Sequence, residues 1–156
     1  MLELRTATQD DAFQVYRWRN SDYVRSTRLS QEVEDLQRHL EWWNNAVRSN
    51  NRHMLMVQFL STDVGHVRLD FTDHKNSAEI SIVMDPAFCG KGFGTEAIKL
   101  SCRYGFDLYQ PEFIEANILI SNKASIRAFE KSGFKFLLSA TTKDGEVYNN
   151  YILEKK

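Results

Sequence analysis

The order of apolar periodicities predicts an α/β fold, a mixed and mostly antiparallel twisted sheet with helices on both faces. Three observations point there. Consecutive strand-like runs over residues 53–60, 64–71 and 78–84 are joined by connections too short for anything but antiparallel pairing. A helical pattern then separates the third run from the next strand, and such a strand–helix–strand unit is parallel with a right-handed crossover. Helical patterns also lie ahead of the strand series and near its end, as a layered sheet requires.

Residues 2–6 alternate apolar and polar, as in a half-buried strand. Thr8 or Asp10 can cap the next helix, which carries Ala12, Phe13, Val15, Tyr16 and Trp18. Asn20-Ser21-Asp22 breaks it, and Ser30 with Glu32 and Glu34 opens a second helix through Leu36, Leu40, Trp42, Trp43 and Val47. Asn50-Asn51 ends that helix, and His53–Leu60 is a strand with Met54, Met56, Gln58 and Leu60 on one side. Ser61-Thr62-Asp63 and the stretch from Asp73 to Ser77 are the next turns. The run Ala78-Glu79-Ile80-Ser81-Ile82-Val83-Met84 places Ile80, Ile82 and Met84 on one face and Glu79, Ser81 and Val83 on the other. A helix with Ala97, Ile98, Leu100, Cys102, Tyr104, Gly105 and Phe106 comes next, then Pro111 and a strand through Phe113, Ile114, Ala116, Ile118 and Ile120. Asn122 caps a short helix that ends at Ser132-Gly133, and strands over 134–140 and 147–154 flank the turn Lys143-Asp144-Gly145.

With 156 residues, 42% hydrophobic and 26% charged, the chain makes one globular domain over residues 1–156. A net charge of −1 leaves no electrostatic footprint for nucleic acid. No apolar run approaches the ~20 residues of a membrane span, and Met1-Leu2-Glu3-Leu4-Arg5 opens a strand, not a signal peptide. Cys89 and Cys102 are expected as free thiols, which suits a cytoplasmic location. His39, His53, His66 and His74 lack metal-ligand spacing, so no metal is expected.

The chemistry concentrates in Cys89-Gly90-Lys91-Gly92-Phe93-Gly94-Thr95, between the run ending at Met84 and the helix behind it. Glycines let a backbone approach a ligand closely, and a helix N-terminus offers unpaired N–H groups and the positive end of a dipole. Strand, glycine loop and helix together suit a pyrophosphate. No Lys-Ser or Lys-Thr pair comes after the last glycine, and the spacing differs from the dinucleotide fingerprint.

This string resembles the acetyl-CoA loop of the GNAT superfamily of N-acetyltransferases, in which Arg or Gln is followed by x-x-Gly-x-Gly/Ala. Gly92 and Gly94 fill the glycine positions, and Cys89 stands where Arg or Gln is usual. A second region, from Asn117 through Asn122-Lys123-Ala124-Ser125 to Lys131-Ser132-Gly133-Phe134, is similar to that family's Asn-x-x-Ala/Ser helix and Lys-x-Gly-Phe turn. The resemblance implies acetyl-CoA as cosubstrate, held by residues 89–95, by Asn117, Asn122 and Ser125, and by a strand that splays from its parallel neighbour at Ile82, Val83 and Met84. The family's tyrosine that protonates the departing thiolate corresponds to Phe129, which has no proton to give. Tyr148 or Tyr151, or water, is left for that role, or no acid is needed.

An ammonium must lose a proton before it can attack. Glu79 is the first candidate base, by resemblance to family members with a strand carboxylate, and His66 on the neighbouring strand is the second. Trp18-Arg19-Asn20 and the later His39-Leu40-Glu41-Trp42-Trp43 resemble two GNAT branches, one acting on nucleotide-linked amino sugars and one on N-termini of ribosomal proteins. Arg19 would hold a diphosphate, and Trp18, Trp42 or Trp43 would stack on a base or sugar. The expected function is acetyl transfer from acetyl-CoA to a primary amine by direct attack in a ternary complex. The acceptor is expected to be a small-molecule amine, a nucleotide-linked amino sugar first among the candidates. The protein would act as a monomer or homodimer. A non-catalytic acyl-CoA sensor is the rival from a different class.

Overall fold

The computed structural model describes residues 1–27 and 35–156. Its strands are β1 (Leu2–Thr6), β2 (Arg52–Phe59), β3 (Thr62–Phe71), β4 (Ser77–Met84), β5 (Phe113–Leu119), β6 (Lys135–Thr141) and β7 (Val147–Glu154). Its helices are α1 (Ala12–Arg19), α2 (Asp22–Thr27), α3 (Leu36–Ala46), α4 (Phe93–Tyr109) and α5 (Lys123–Lys131). They build one sheet in the order β1-β2-β3-β4-β5-β7-β6. Every neighbouring pair is antiparallel except β4 and β5. The expected mixed sheet is therefore present.

The two faces are covered separately. Leu55, Val67, Leu69, Ile80, Ile114 and Ala116 pack with Ala97, Ile98, Cys102 and Phe129 from α4 and α5. Met54, Met56 and Val83 pack with Val15, Trp18, Val24 and Trp43 from α1, α2 and α3. Both faces of β2 are thus buried, and period two alone assigns each residue its side. Ile80 falls on the α4 face and Val83 on the α1–α3 face, as their alternation requires. Cys89 and Cys102 are both free thiols, and burial pushes Cys102 up to about 12.

Several boundaries differ from the sequence reading. Leu60 does not extend β2. Leu60 and Ser61 both take positive φ, 51° and 66°, in a two-residue hairpin whose twist matches that of the flanking strands, and Leu60 is exposed. Asn20 closes α1, but the chain does not stay broken there, because α2 begins at Asp22. Helix α3 starts after Asp35, whose carboxylate accepts from the Arg38 N–H. The expected opening at Ser30 lies outside the described residues. Ile120 is past the end of β5, and Phe134 precedes β6, its ring set edge-on against Phe129.

Arg5 fastens β1 to two other parts of the chain. Its guanidinium pairs with Asp11 at 2.7 Å and with Asp63 at 2.9 Å. The fork joins the first strand, the turn into α1 and the β2–β3 hairpin.

His66 is buried between β2 and α3. Its Nδ1 lies 2.9 Å from the Leu55 carbonyl and its ring 5.1 Å from that of Trp43. Nδ1–H therefore donates to Leu55. Burial pushes the imidazole down to about 3, with Arg68 and Arg19 adding to the shift and the Leu55 bond opposing it. The unfolded chain then binds a proton near pH 6.5 that the folded chain refuses. Stability from this residue is whole above pH 6.5 and falls with pH toward 3, at up to about 1.4 kcal/mol per pH unit. His66→Asn keeps a donor toward Leu55 and removes the titration. Chemical denaturation from pH 7 to 4 should show the variant losing less stability than the parent, and parallel losses would contradict the assignment.

Candidate active site

The parallel pair β4–β5 is matched at Ser77–Phe113, Ala78–Ile114 and Glu79–Glu115, and beyond Glu79 the strands part. On its other side β4 remains paired with β3 up to Met84. A cleft of about 390 Å³ opens where the strands diverge, walled by β4, the glycine loop, α2 and α5. A second cavity of about 270 Å³ adjoins it on the α1–α3 side and shares Val24, Thr27, Ile82, Val83, Asn122 and Ser125 with it.

The loop is shaped by its glycines. Asp85 accepts from the Ala87 N–H and Pro86 starts a short turn, which ends β4. Gly90 and Gly92 take φ of 78° and 79°, a region that disfavours any side chain. Gly92 is the N-cap of α4, so the helix's first N–H groups point out of the loop. A Cβ added at Gly90, Gly92 or Gly94 would meet no atom within 4 Å, so these positions face open space. Arg127 and Lys131, one turn apart on α5, stand on the same cleft.

Most of the residues singled out for the coenzyme meet here. Ile82, Val83, Met84, Cys89, Gly90, Gly92, Gly94, Thr95, Asn122 and Ser125 line the cleft. Asn122 also caps α5 by accepting from the Ser125 N–H at 3.2 Å. Lys91 and Phe93 do not line it. The Lys91 ammonium sits over the Phe88 ring, and Phe93 packs on Phe59 at 4.8 Å. Phe129 and Asn117 belong to the second cavity. Neither Tyr148 nor Tyr151 lines either cavity, and Tyr151 is in the core.

Glu79 faces the second cavity, and a chain of amides holds it there. Its Oε2 accepts from Asn117 Nδ2 at 3.0 Å, and Asn117 Oδ1 accepts from Asn150 Nδ2 at 2.8 Å. Asn150 also donates toward Glu115 at 3.3 Å. A carboxylate that accepts from an amide is oriented by it and keeps acceptor capacity on its other oxygen. His66, the other candidate base, lines neither the cleft nor this cavity. Its Nδ1 is taken by Leu55, and burial makes the imidazole a feeble proton acceptor.

The acceptor-side expectations divide. Arg19 lines the second cavity beside Glu79. Trp18 and Trp43 do not reach it, because both are core residues and the Trp43 indole N–H donates to the Thr8 carbonyl. They face inward because α1 and α3 must bury one side each against the sheet. Asn20 closes α1, its side-chain amide donating to the Tyr16 carbonyl. Trp42 is only partly buried, and the guanidiniums of Arg52 and Arg68 both lie over its ring, 5.3 and 5.2 Å from the centroid.

Sequence reasoning missed α2, which brings Tyr23, Val24 and Thr27 to the cleft. The signal was present, since Ser21 followed by Asp22 is a helix-opening pair. Burial raises the Tyr23 hydroxyl's pKa, and the neighbouring Cys89 thiol adds to the shift. Arg68 and Ser81 were missed too, on adjacent strands that both face α1–α3.

Residues 1–135 match the family model described as an acetyltransferase (GNAT) domain. A spermidine N(1)-acetyltransferase of Vibrio cholerae is 23% identical, over 99% of this chain and 94% of its own. A probable N-acetyltransferase of Bacillus subtilis, YjcK, is 40% identical over 37% of this chain and 32% of its own. Among solved structures, the Vibrio cholerae spermidine N-acetyltransferase with CoA and spermine superposes with a TM-score of 0.88 at 19% identity, covering 99% of this chain and 95% of that one. Aminoglycoside acetyltransferase AAC(6')-Ib with ribostamycin and coenzyme A gives 0.86 at 18% identity, over 98% and 93%. The parted strands, the glycine loop at a helix N-terminus and the family match along residues 1–135 lead to one conclusion: this chain belongs to the GNAT acetyltransferase family.

Proposed function

We propose that the protein transfers acetyl from acetyl-CoA to a primary amine by direct attack, with Glu79 as the base. The observation that carries this is the place of Glu79. It is the last matched residue before β4 and β5 part, and its carboxylate lies in the cavity that adjoins the coenzyme cleft.

The cleft fits acetyl-CoA. Its glycine positions face open space where a pyrophosphate would approach backbone N–H groups, and Arg127 and Lys131 add positive charge. The β4 edge released from β5 is available to pantetheine amides as a neighbouring strand would be. Acetyl-CoA supplies the activated acetyl group. The chain's own residues then bring the amine to it and exclude alternatives in geometry. Glu79, oriented by Asn117, takes the ammonium proton directly or through one water. At Phe129 the chain offers an apolar wall, so no acid is assigned there.

For the acceptor, the sequence suggested a nucleotide-linked amino sugar or a ribosomal-protein N-terminus. The core positions of Trp18 and Trp43 remove two of the expected stacking platforms for a base. Arg19 remains among the residues that line the cavity.

Glu79→Gln keeps shape and loses the proton acceptor. Turnover at neutral pH should fall ~10²-fold or more, with acetyl-CoA affinity nearly unchanged. Wild-type turnover across pH would remove Glu79 from the reaction. Acetyl-CoA binding with no thiol release for any amine, even in the parent protein, would instead favour the sensor.

Gly94 is the cleanest probe of the phosphate cradle. Unlike Gly90 and Gly92 it is not in the left-handed region, so a side chain there adds bulk without that strain. Gly94→Val should fold and lose at least tenfold in acetyl-CoA affinity by calorimetry, about 1.4 kcal/mol. Full affinity in the folded variant would place the pyrophosphate elsewhere.

A further inference from the structure

Charge is distributed unevenly in the cleft beside the glycine loop. Arg127 and Lys131 bring two cations to it, and no carboxylate lines it among the described residues. Both side chains are exposed on α5, and neither head group has an ion pair or a hydrogen bond to a described residue. Glu130, between them in sequence, does not line the cleft.

Helix α5 places this charge along the cleft. Its N-cap, Asn122, stands where the cleft meets the second cavity, on the side of Glu79. From Asn122 to Lys131 the helix rises roughly 13 Å. Its far end is fastened to α4, because the Ser132 hydroxyl, directly after Lys131, lies 3.4 Å from the Thr95 carbonyl in the first turn of that helix. Arg127 and Lys131 therefore line the part of the cleft remote from Glu79.

Acetyl-CoA carries two kinds of phosphate. The pyrophosphate is a diester bridge, and the first N–H groups of α4 are placed to receive it. The ribose bears a 3′-phosphate monoester, with three free oxygens and a charge of about −1.5 to −2 at neutral pH. At the last turn of α5 the backbone offers carbonyls and the negative end of a helix dipole. An anion there depends on side chains alone. With the thioester at the Glu79 end, the ribose follows the pyrophosphate toward Arg127 and Lys131. Arginine offers a fork matched to phosphate oxygens, and lysine a mobile point charge.

We infer that Arg127 and Lys131 form the subsite for the 3′-phosphate of the coenzyme, and that through them the protein discriminates CoA thioesters from their 3′-dephospho forms. The inference rests on the reading of the cleft as the coenzyme site, and not on the base or the acceptor.

Calorimetry compares acetyl-CoA with acetyl-3′-dephospho-CoA, which lacks the monoester and keeps pyrophosphate, pantetheine and thioester. The parent protein should bind acetyl-CoA about tenfold more tightly at low salt. The ratio should shrink as salt is added, because both cations are exposed. Arg127→Gln and Lys131→Gln should each reduce the ratio, the double variant should bring it close to one, and Lys131→Arg should retain it. Glutamine suits an exposed helix position, so these variants keep the fold. Lys123→Gln removes the same charge from the same helix, at an exposed residue that does not line the cleft, and should keep the parent ratio.

A parent ratio near one overturns the subsite. Equal losses for the two thioesters in the double variant also overturn it, since the cations would then act on the pyrophosphate. So does a Lys123→Gln effect as large as that of Lys131→Gln, which would make the preference a matter of net charge. The loop and the subsite fail separately. If Gly94→Val weakens both thioesters by one factor and the parent ratio is one, the loop stands and the subsite is wrong. If Gly94→Val weakens neither and the ratio is present, the loop reading is wrong and the subsite stands. Neither measurement needs an acceptor amine, so a failure of acetyl transfer leaves both results intact.

Discussion

The rest of the site depends on the short parallel contact between β4 and β5. Three matched residue pairs hold the strands together at one end, and then they separate. Backbone polar groups cannot be left buried without partners. A sheet that parts in its middle therefore keeps the gap open to solvent or to a ligand that can bond like a strand. The parting also sets the position of everything around it. The glycine loop lies at the wide end, α5 closes one wall, and Glu79 stands at the apex. Both cavities arise from a single departure from regular pairing.

Much of the fold could be read from the sequence because its signals are local. Alternation along residues 78–84 gave the two faces of β4, and short connections gave the antiparallel series. The glycine spacing at Gly92 and Gly94, with a helix directly behind, gave the loop and its family. The failures share a cause, which is that residue type does not say which side of a helix meets the sheet. Trp18 and Trp43 carry the right chemistry for stacking, but α1 and α3 turn them inward. Trp42, one residue from Trp43, points the other way and reaches Arg68. In the loop, Lys91 and Phe93 alternate with the glycines and turn toward Phe88 and Phe59. His66 is suitable as a base by type, but burial under Trp43 decides its chemistry.

The α1–α3 face of the sheet is apolar over β2, where Met54 and Met56 lie, and polar toward β5 and β7. Glu79, Glu115, Asn117 and Asn150 are linked through side-chain amides, and Arg68, Asp70 and Ser81 continue the polar surface across β3 and β4. A network of this kind fixes side chains where its members are satisfied, as along Glu79, Asn117 and Asn150, whereas Arg68 Nε and Asp70 Oδ1 are buried without a hydrogen bond. Glu79 on β4 and Arg68 on β3 both line the second cavity, so groups of opposite charge stand on its walls.

The uneven pairing of the sheet has a consequence for how the molecule is made. The strands β1 to β4 lie in an order set by chain neighbours and short turns, apart from the helices inserted after β1. The join from β4 to β5 is different. It closes only after α4 has crossed the sheet, and it yields few backbone bonds for the loop it must order. The seam where the cosubstrate would bind is thus also the least tightly sewn part of the sheet. A ligand laid along it would complete the architecture as well as supply the chemistry, and the folded population would rise with its concentration.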